Sequence, residues 1–435
     1  MDTLFDLLHR KNELPKGNVY QKTIKNNVYF YHQYRENGKN YSIKLNEAEV
    51  NTIKKQIEER KTIEKDIKQL LSNGNKEIGL STFAKEYTGY VMSGNKVTAE
   101  FNKGVLVSSI NKLCPLVIKR TKSITEFLKS RSIDSGRTNS RLLRKVLNIN
   151  VKDDTLVSLC SYAASISDNY WFKPKHSKLK YEDISFNNDI FFDTALKGII
   201  TIYPKRLILT PELTTNGSYE KGWRNINGDW WLYKVGSTFE RYSEVFYSRL
   251  FEKLNLPTAH YEIESKYIRT NNFAKGVNFE PMVSLVGDNE DIEFIYETLN
   301  KINHNIALDY LRLIAFDVTL NNIDRHNENC GILRNRKTGE IISLAPNYDD
   351  NLCLISRATA LIADEQEGFL NFFLKTIRKS KKIKKGLKEI EFPKINLDLL
   401  ESIHREISLD IDIDFQSVGN YILFRYSDIM KEINK

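Results

Sequence analysis

Residues 306–350 read IALDYLRLIAFDVTLNNIDRHNENCGILRNRKTGEIISLAPNYDD, and this stretch decides the fold. Its first part has apolar side chains at helical spacing, which predicts a buried helix. The side chains that carry this pattern are Ile306, Tyr310, Leu313, Ile314 and Val318. A polar loop follows at residues 321–329, and two short apolar runs around a charged turn then predict a hairpin at residues 330–344. A second acidic group, Asp349, comes soon after that hairpin.

The order of these features matches the requirements of phosphoryl transfer. In such a site a loop Asp orients the acceptor hydroxyl, a later Asn binds magnesium, and a hairpin delivers a second Asp to the metal. Asp324, Asn329 and Asp349 occur in this order. Mg²⁺ prefers oxygen ligands and keeps several waters, so one carboxylate, one amide oxygen and the phosphates suffice to hold it.

A kinase also needs a lysine for the nucleotide phosphates and a loop that covers them, both in a strand-rich region upstream. The turn LTTNGSYEKGW at residues 213–223 offers backbone N–H groups that can approach phosphates, because Gly217 and Gly222 have no side chain. Lys234 stands at the end of the next predicted strand, DWWLYKVG, where a phosphate-pairing lysine is expected. Glu244, on the following predicted helix, can form an ion pair with it.

Composition and periodicity divide the chain into four segments around this stretch. They are an N-terminal segment 1–75, a helical middle region 76–183, a strand-rich lobe 184–290, and a helical lobe 291–435 that carries the catalytic loop. We therefore predict an α+β fold with two protein-kinase-like lobes and a cleft between them, preceded by a helical region and an N-terminal module.

The N-terminal segment combines a β-hairpin with a long helix. Alternating aromatic and apolar runs flank Asn37-Gly38, which is a strong hairpin signal. Residues 47–71 then have apolar side chains at helical spacing, and this helix is predicted to end at residues 72–74, Ser-Asn-Gly. Two interpretations stay open: an arm that docks on its own chain, or a module that binds DNA or a partner protein.

Residues 213–349 resemble the HipA family of bacterial toxin kinases, distant relatives of the phosphatidylinositol kinase-like fold. The run NIDRHNENCG at residues 322–331 resembles the family's N-x-D-R-H-x-x-N-x-G catalytic loop. The run APNYD at residues 345–349 resembles its metal-binding A-P-x-Y-D element. The similarity extends upstream to SISDNYWFKP at residues 165–174.

The resemblance implies a serine/threonine protein kinase that uses ATP and Mg²⁺. It makes Asp324 the catalytic acid, Lys234 the ATP-phosphate lysine, and Asn329 and Asp349 the magnesium ligands. The predicted ATP-binding residues are Gly217, Ser218, Lys221, Lys234, Glu244 and His326. Family members carry a Ser in the glycine-containing loop whose autophosphorylation ejects that loop, and Ser218 is the candidate here.

The family also implies certain partners: a protein substrate, a cognate antitoxin, and DNA through that partner or through the N-terminal region. Within the catalytic loop, Asp317 is expected to brace the loop from the preceding helix. Arg325 is expected to pair with an acid or a phosphate. His326 is expected to structure the loop by hydrogen bonds more than to act as a base.

The composition limits the classes of protein to which the chain can belong. Its 435 residues are 28% charged and 41% hydrophobic, which is typical of a globular protein. No apolar run approaches the roughly 18 to 20 residues that a membrane-spanning helix needs, so no membrane partner is expected. The four cysteines stand far apart, which predicts a cytoplasmic protein without a structural zinc site. The net charge of +9 is too small to assign a partner by itself.

Two other functions stay open at this stage. The lobes could bind nucleotide without catalysing transfer and serve a module that engages DNA or a protein through the N-terminal region. A lipid or small-molecule kinase would share the chemistry and differ only in the acceptor. The presence of Lys234, Asp324, Asn329 and Asp349 together argues against the first of these, the binding module without catalysis.

Overall fold

In the computed structural model the chain forms two compact units, one of residues 1–87 with 199–209 and the other of residues 88–198 with 210–435. The structure describes residues 10, 14–24, 27–36, 39–77, 87–133, 136–137, 139–146, 154–199, 209–215, 217, 219–354 and 363–435. Over these residues, none of the helices is both long enough and apolar enough to cross a membrane.

The first unit contains a three-stranded antiparallel sheet and a long helix. The strands are β1 (Asn18–Ile24), β2 (Asn27–Glu36) and β3 (Lys39–Leu45), in the order β1-β2-β3. Strands β2 and β3 pair with Glu36 opposite Lys39, as the predicted hairpin requires, and the turn residues 37–38 lie outside the described residues.

Helix α1 spans Glu47–Glu77 and so continues past the predicted stop at residues 72–74. A single glycine in a helix costs only about 1 kcal/mol relative to alanine, which is too little to end a helix on its own. Its apolar stripe is buried at Val50, Ile57 and Ile63, as the helical spacing predicts.

The predicted helical middle region is not purely helical, because it also contains a four-stranded antiparallel sheet. Its strands, in the order β6-β5-β4-β7, are β4 (Gly89–Ser93), β5 (Lys96–Asn102), β6 (Val105–Leu106) and β7 (Tyr170–Pro174). The turn between β4 and β5 is Gly94-Asn95, a tight hairpin connection that the helical patterns around it obscured. This region also contains the short helices α2 (Leu116–Thr121), α3 (Ile124–Lys129), α4 (Ser140–Val146) and α5 (Asp154–Leu159). Two more, α6 (Tyr181–Ile184) and α7 (Phe192–Lys197), lie at and beyond its end.

The strand-rich lobe is a second four-stranded antiparallel sheet, in the order β10-β11-β9-β8. Its strands are β8 (Lys221–Ile226), β9 (Asp229–Val235), β10 (Tyr261–Glu264) and β11 (Tyr267–Asn271), and helix α8 (Thr238–Lys253) connects β9 to β10. Strand β12 (Val277–Pro281), within the predicted range 184–290 of this lobe, pairs with residues 331–335 and belongs to a separate sheet.

That separate sheet carries the predicted hairpin. Strands β13 (Gly331–Asn335) and β14 (Ile341–Leu344) form it, and the sheet order is β12-β13-β14. At Gly331 an added Cβ would lie 2.5 Å from the carbonyl oxygen of Glu280, so this position tolerates only glycine. The hairpin begins at Gly331, directly after the polar loop at residues 321–329, where the sequence predicts it.

The helical lobe packs around one long apolar helix, α11 (His304–Thr319). The five apolar side chains that predicted this helix are all buried in the largest hydrophobic cluster of the chain. The other helices are α9 (Met282–Val286), α10 (Ile292–Asn300), α12 (Ala363–Lys379), α13 (Lys381–Glu389), α14 (Leu397–Glu406) and α15 (Phe415–Asn434). The predicted α+β fold with a strand-rich lobe followed by a helical lobe is confirmed.

Candidate active site

A buried ion cluster joins the strand-rich lobe to the segment that follows β14. Lys234 Nζ, near the end of β9, donates to Glu244 Oε1 on α8 and to Asp349 Oδ1, each at 2.7 Å. The Glu244 side chain is fully buried, whereas that of Asp349 keeps 30% of its surface exposed. Ser237 and Glu240 form a capping box at the start of α8, which fixes the first turn of the helix that presents Glu244.

The charges of this cluster keep Asp349 ionised. Burial acts to raise the pKa of Asp349, but the Lys234 and Lys221 ammonium groups outweigh it and hold the pKa well below its usual range. Asp349 also has a φ of 63°, in the left-handed region that residues other than glycine rarely adopt. Strain of this kind concentrates at functional sites, where the surrounding structure holds it in place.

A second lysine lies beside the first. Lys221 on β8 pairs directly opposite Lys234 on β9, and its side chain is buried. Burial lowers the pKa of Lys221 to about 8, although the Asp349 carboxylate acts in the opposite direction. A Cβ added at Gly217, whose φ is 108°, would collide with Lys221 Nζ, so the glycine leaves the space that this ammonium group occupies.

The residues of the predicted catalytic loop line the same cleft as this cluster. Asn329 Nδ2 donates to the backbone oxygen of Asp324 at 2.9 Å and to its carboxylate Oδ2 at 3.3 Å. These contacts occupy the amide nitrogen of Asn329 and leave its amide oxygen as the atom suited to a metal. His326 accepts a hydrogen bond from the N–H of Glu328 at Nδ1, and its carbonyl accepts one from the N–H of Asn329. His326 thus shapes the loop, as expected.

Arg325 joins the catalytic loop to the helix before it and to the loop after β14. Its guanidinium donates to both carboxylate oxygens of Asp317, at 2.8 and 3.0 Å. It also donates to Asp350 Oδ1 at 2.5 Å and to the carbonyl of Tyr348 at 2.9 Å. Since Asp349 lies between Tyr348 and Asp350 in the chain, this one side chain sets the positions of the two loops relative to each other.

Two amide side chains complete this buried network. Asn322 Nδ2 donates to Asp317 Oδ1 and to Asp350 Oδ1, both at 3.0 Å. Asn347 Nδ2 donates to Asp350 Oδ2 at 2.6 Å. Asp350 was not singled out from the sequence. The available signal was the doublet Asp349-Asp350, but a doublet does not tell which carboxylate points into the cleft and which is buried behind it.

The residues present fit Mg²⁺ and ATP. Asp349 stays ionised and partly exposed, Asn329 keeps an amide oxygen available, and both are oxygen donors of the type that Mg²⁺ prefers. Lys221 and Lys234 lie opposite each other on β8 and β9 and bring two positive charges to the site. Two adjacent ammonium groups are suited to bind the phosphates of a nucleotide. Bound there, the metal would neutralise charge on the transferring phosphoryl group.

The structure brings nearly all of the predicted site residues to one cleft of about 620 Å³. Those that line it are Gly217, Lys221, Lys234, Glu244, Asp324, His326, Asn329 and Asp349. Ser218, the candidate phosphosite, lies outside the described residues. The cleft is also lined by Phe127, Arg131 and Tyr170 from the middle region, which sequence reasoning did not connect with the site.

Comparison with known proteins gives similarity in structure only. No protein-family model matches the chain, and no curated protein sequence is similar to it. One similar solved structure is the proinflammatory kinase CtkA of Helicobacter pylori, with 18% identity and a TM-score of 0.41, over 49% of this chain and 92% of that one. Another is HipA of the Shewanella oneidensis MR-1 toxin–antitoxin system, in a complex with HipB and operator DNA. It has 12% identity and a TM-score of 0.49, over 80% of this chain and 96% of that one.

Proposed function

We propose that this chain is a serine/threonine protein kinase of HipA type, which transfers the γ-phosphoryl group of ATP to a bacterial protein and requires Mg²⁺. Its biological role would be that of the toxin of a toxin–antitoxin system or of a related regulator. The observation that carries the proposal is the convergence on one cleft of the Lys234–Glu244–Asp349 cluster and the Asp324–Asn329 pair.

Each residue has a distinct part in this reaction. Lys234, held by Glu244, and Lys221 bind the phosphates of ATP. Asp324 accepts a hydrogen bond from the acceptor hydroxyl and takes its proton as the hydroxyl oxygen attacks the γ-phosphorus. The bond between the γ-phosphorus and the bridging oxygen breaks in line with this attack, and ADP leaves. Asp349 and Asn329 are the residues that would hold Mg²⁺.

The buried hydrogen-bond network around Arg325 supports the proposal that these few residues are enough for catalysis. Arg325 and Asp317 fix the catalytic loop through buried hydrogen bonds, so Asp324 is positioned before the substrate binds. Positioning and charge neutralisation provide most of the rate in phosphoryl transfer, because the protein has little covalent chemistry to perform.

The proposal is tested by transfer from γ-labelled ATP. The full-length protein would be incubated with a bacterial lysate in the presence of Mg²⁺ or of EDTA, beside the Asp324→Gln variant. We expect label on protein, as phosphoserine or phosphothreonine, which requires Mg²⁺ and is absent with the variant.

Other outcomes separate the alternatives. Label in the lipid or small-molecule fraction would show that the protein is a kinase whose acceptor is a lipid or a small molecule, and would contradict the proposed protein acceptor. ATP binding without any Mg²⁺-dependent label would contradict the kinase proposal and favour a nucleotide-binding module that acts through the N-terminal unit.

A further inference from the structure

One face of the N-terminal sheet has an unusual composition. Side chains alternate between the two faces of a strand, so the pairing of β1, β2 and β3 assigns each residue to a face. We call one of them the tyrosine–lysine face. It is formed by Asn18, Tyr20, Lys22 and Ile24 on β1, by Asn27, Tyr29, Tyr31, Gln33 and Arg35 on β2, and by Asn40, Ser42 and Lys44 on β3.

The long helix packs on part of the opposite face, where Val28, Tyr41 and Ile43 remain exposed. Lys54 Nζ on α1 lies 5.2 Å from the centre of the Phe30 ring, which belongs to that opposite face. His32, also on it, is buried and has Nε2 2.5 Å from the carbonyl oxygen of Lys16. Since the helix packs on this side, the tyrosine–lysine face is not used by the core of its own unit.

The tyrosine–lysine face carries positive charge only. Lys22, Arg35 and Lys44 are exposed, and the face includes no Asp or Glu over its described residues. Its other polar groups are amides and hydroxyls, which can donate and accept hydrogen bonds. This combination is complementary to a polyanion that also presents hydrogen-bonding edges, as a nucleic acid does.

The tyrosines already have partners within the sheet. The rings of Tyr20 and Tyr31 stack across β1 and β2, with centroids 5.5 Å apart and planes at 22°. Lys44 Nζ lies 4.2 Å from the centre of the Tyr29 ring. Tyr20 also reaches across β2, where its hydroxyl lies 3.2 Å from Ser42 Oγ. Neighbouring side chains partly cover these rings, so little of each ring is available for stacking with an unpaired base.

We propose that the tyrosine–lysine face binds duplex DNA in its major groove. Three strands spaced about 4.8 Å apart form a surface about 10 Å wide, which fits a major groove about 12 Å wide. Lys22, Arg35 and Lys44 bind phosphates, and Gln33 with the neighbouring asparagines faces the base edges, as side-chain amides do with adenine. The proposal does not depend on the kinase reaction.

The test uses the full-length protein and fluorescence anisotropy with a labelled duplex DNA of about two helical turns. The face variant is the triple substitution Lys22→Ala, Arg35→Ala and Lys44→Ala. The matched control removes three exposed lysines from α1 by the substitutions Lys55→Ala, Lys61→Ala and Lys65→Ala. Both variants lower the net charge by the same amount, so a general effect of the +9 charge would weaken both equally.

We expect the face variant to bind duplex DNA about 10-fold or more weakly, with the slope of log affinity against log salt reduced by about 3, one for each lost phosphate contact. The control should bind like the wild type. Circular dichroism would verify that both variants are folded.

The affinities for other nucleic acids distinguish duplex DNA from the alternative ligands. A single strand of the same sequence and a duplex RNA should bind more weakly than duplex DNA, because the narrow major groove of A-form RNA does not admit the sheet. Equal losses in the two variants, or preferential binding of the single strand or of the RNA, would overturn the proposal.

Discussion

At the scale of single residues, the ammonium group of Lys221 is a charge whose environment differs from that of a surface lysine. It is buried, lies opposite Lys234, and has a pKa lowered to about 8 by burial. A lysine on the surface would keep its charge to about pH 10. The positive charge of Lys221 is therefore fully present below about pH 7 and is lost as the pH rises through 8.

This shift predicts that the affinity for Mg²⁺-ATP decreases above pH 8. A single required proton gives a loss of up to about tenfold for each pH unit. Calorimetric titration from pH 6.5 to 9.5 would measure it. The Lys221→Arg variant should bind with an affinity that is flat over this range, because arginine stays charged. A wild-type affinity that is equally flat would contradict the role of Lys221.

The residues of the site could be predicted to different degrees. Asp324, Asn329 and Asp349 follow from a motif and its spacing, because a loop and a hairpin constrain where they lie. Lys234 and Glu244 follow from their places on a strand and the next helix, and the structure brings them into contact. Asp350 could not be predicted, because its role depends on a buried contact with Arg325, twenty-five residues away in the chain.

At the scale of elements, the side chain of Arg325 connects α11, the predicted catalytic loop and the loop after β14 by hydrogen bonds. Its side chain is 3% exposed, and its two carboxylate partners, Asp317 and Asp350, are 0% and 1% exposed. Burial raises the pKa of Asp350 and the Arg325 guanidinium opposes that rise, so the negative charge of this carboxylate depends on the guanidinium beside it.

Removal of this guanidinium should therefore be costly. Arg325→Met leaves two buried carboxylates without their cation, and the loss of one partner of a buried pair costs about 3–5 kcal/mol. Urea unfolding would measure the change in the free energy of unfolding. Arg312→Met on α11 is the control, because Arg312 is 24% exposed and pairs with Asp309, and an ion pair at such a site contributes only about 1 kcal/mol or less. Similar losses of unfolding free energy in both variants would contradict the claim that Arg325 holds these elements together.

Elements were predicted best where one period is strong and long. Helices α1 and α11 show this, since their apolar side chains recur over many turns and those at Val50, Ile57 and Ile63 of α1 and throughout the predicted stripe of α11 are buried. The sheet of β4 to β7 was missed because β4 and β5 are short and lie among helical patterns, and because β7 comes from a distant part of the chain. Pairing between distant segments leaves no local period in the sequence.

At the scale of the whole chain, the middle region is tied to the hairpin that precedes Asp349. Arg334 on β13 is fully buried and donates to the carbonyls of Cys114 at 3.0 Å and Lys112 at 2.7 Å. Gly339, in the turn of the same hairpin, approaches Lys112 so closely that an added Cβ would collide with its carbonyl oxygen. The middle region thus holds the hairpin in place from behind.

This close approach predicts that Gly339→Ala destabilises the protein more than its backbone conformation explains. Gly276→Ala is the matched control, because its φ of 83° resembles the 74° of Gly339 but a Cβ there meets nothing within 4 Å. Both variants should lose about 1–2 kcal/mol from the left-handed conformation. Gly339→Ala should lose a further 1–3 kcal/mol or so from the collision. Equal unfolding free energies would show that the hairpin does not depend on this contact.

The central claim is that Asp324 and Asp349 divide the work of one phosphoryl-transfer site. The most direct test measures Mg²⁺-ATP affinity and phosphate transfer side by side in Asp324→Gln and Asp349→Ala. We predict that Asp324→Gln binds Mg²⁺-ATP nearly as well as the wild type but transfers no phosphate, and that Asp349→Ala loses binding and transfer together. Transfer retained by Asp349→Ala, or ATP affinity lost by Asp324→Gln, would contradict the account.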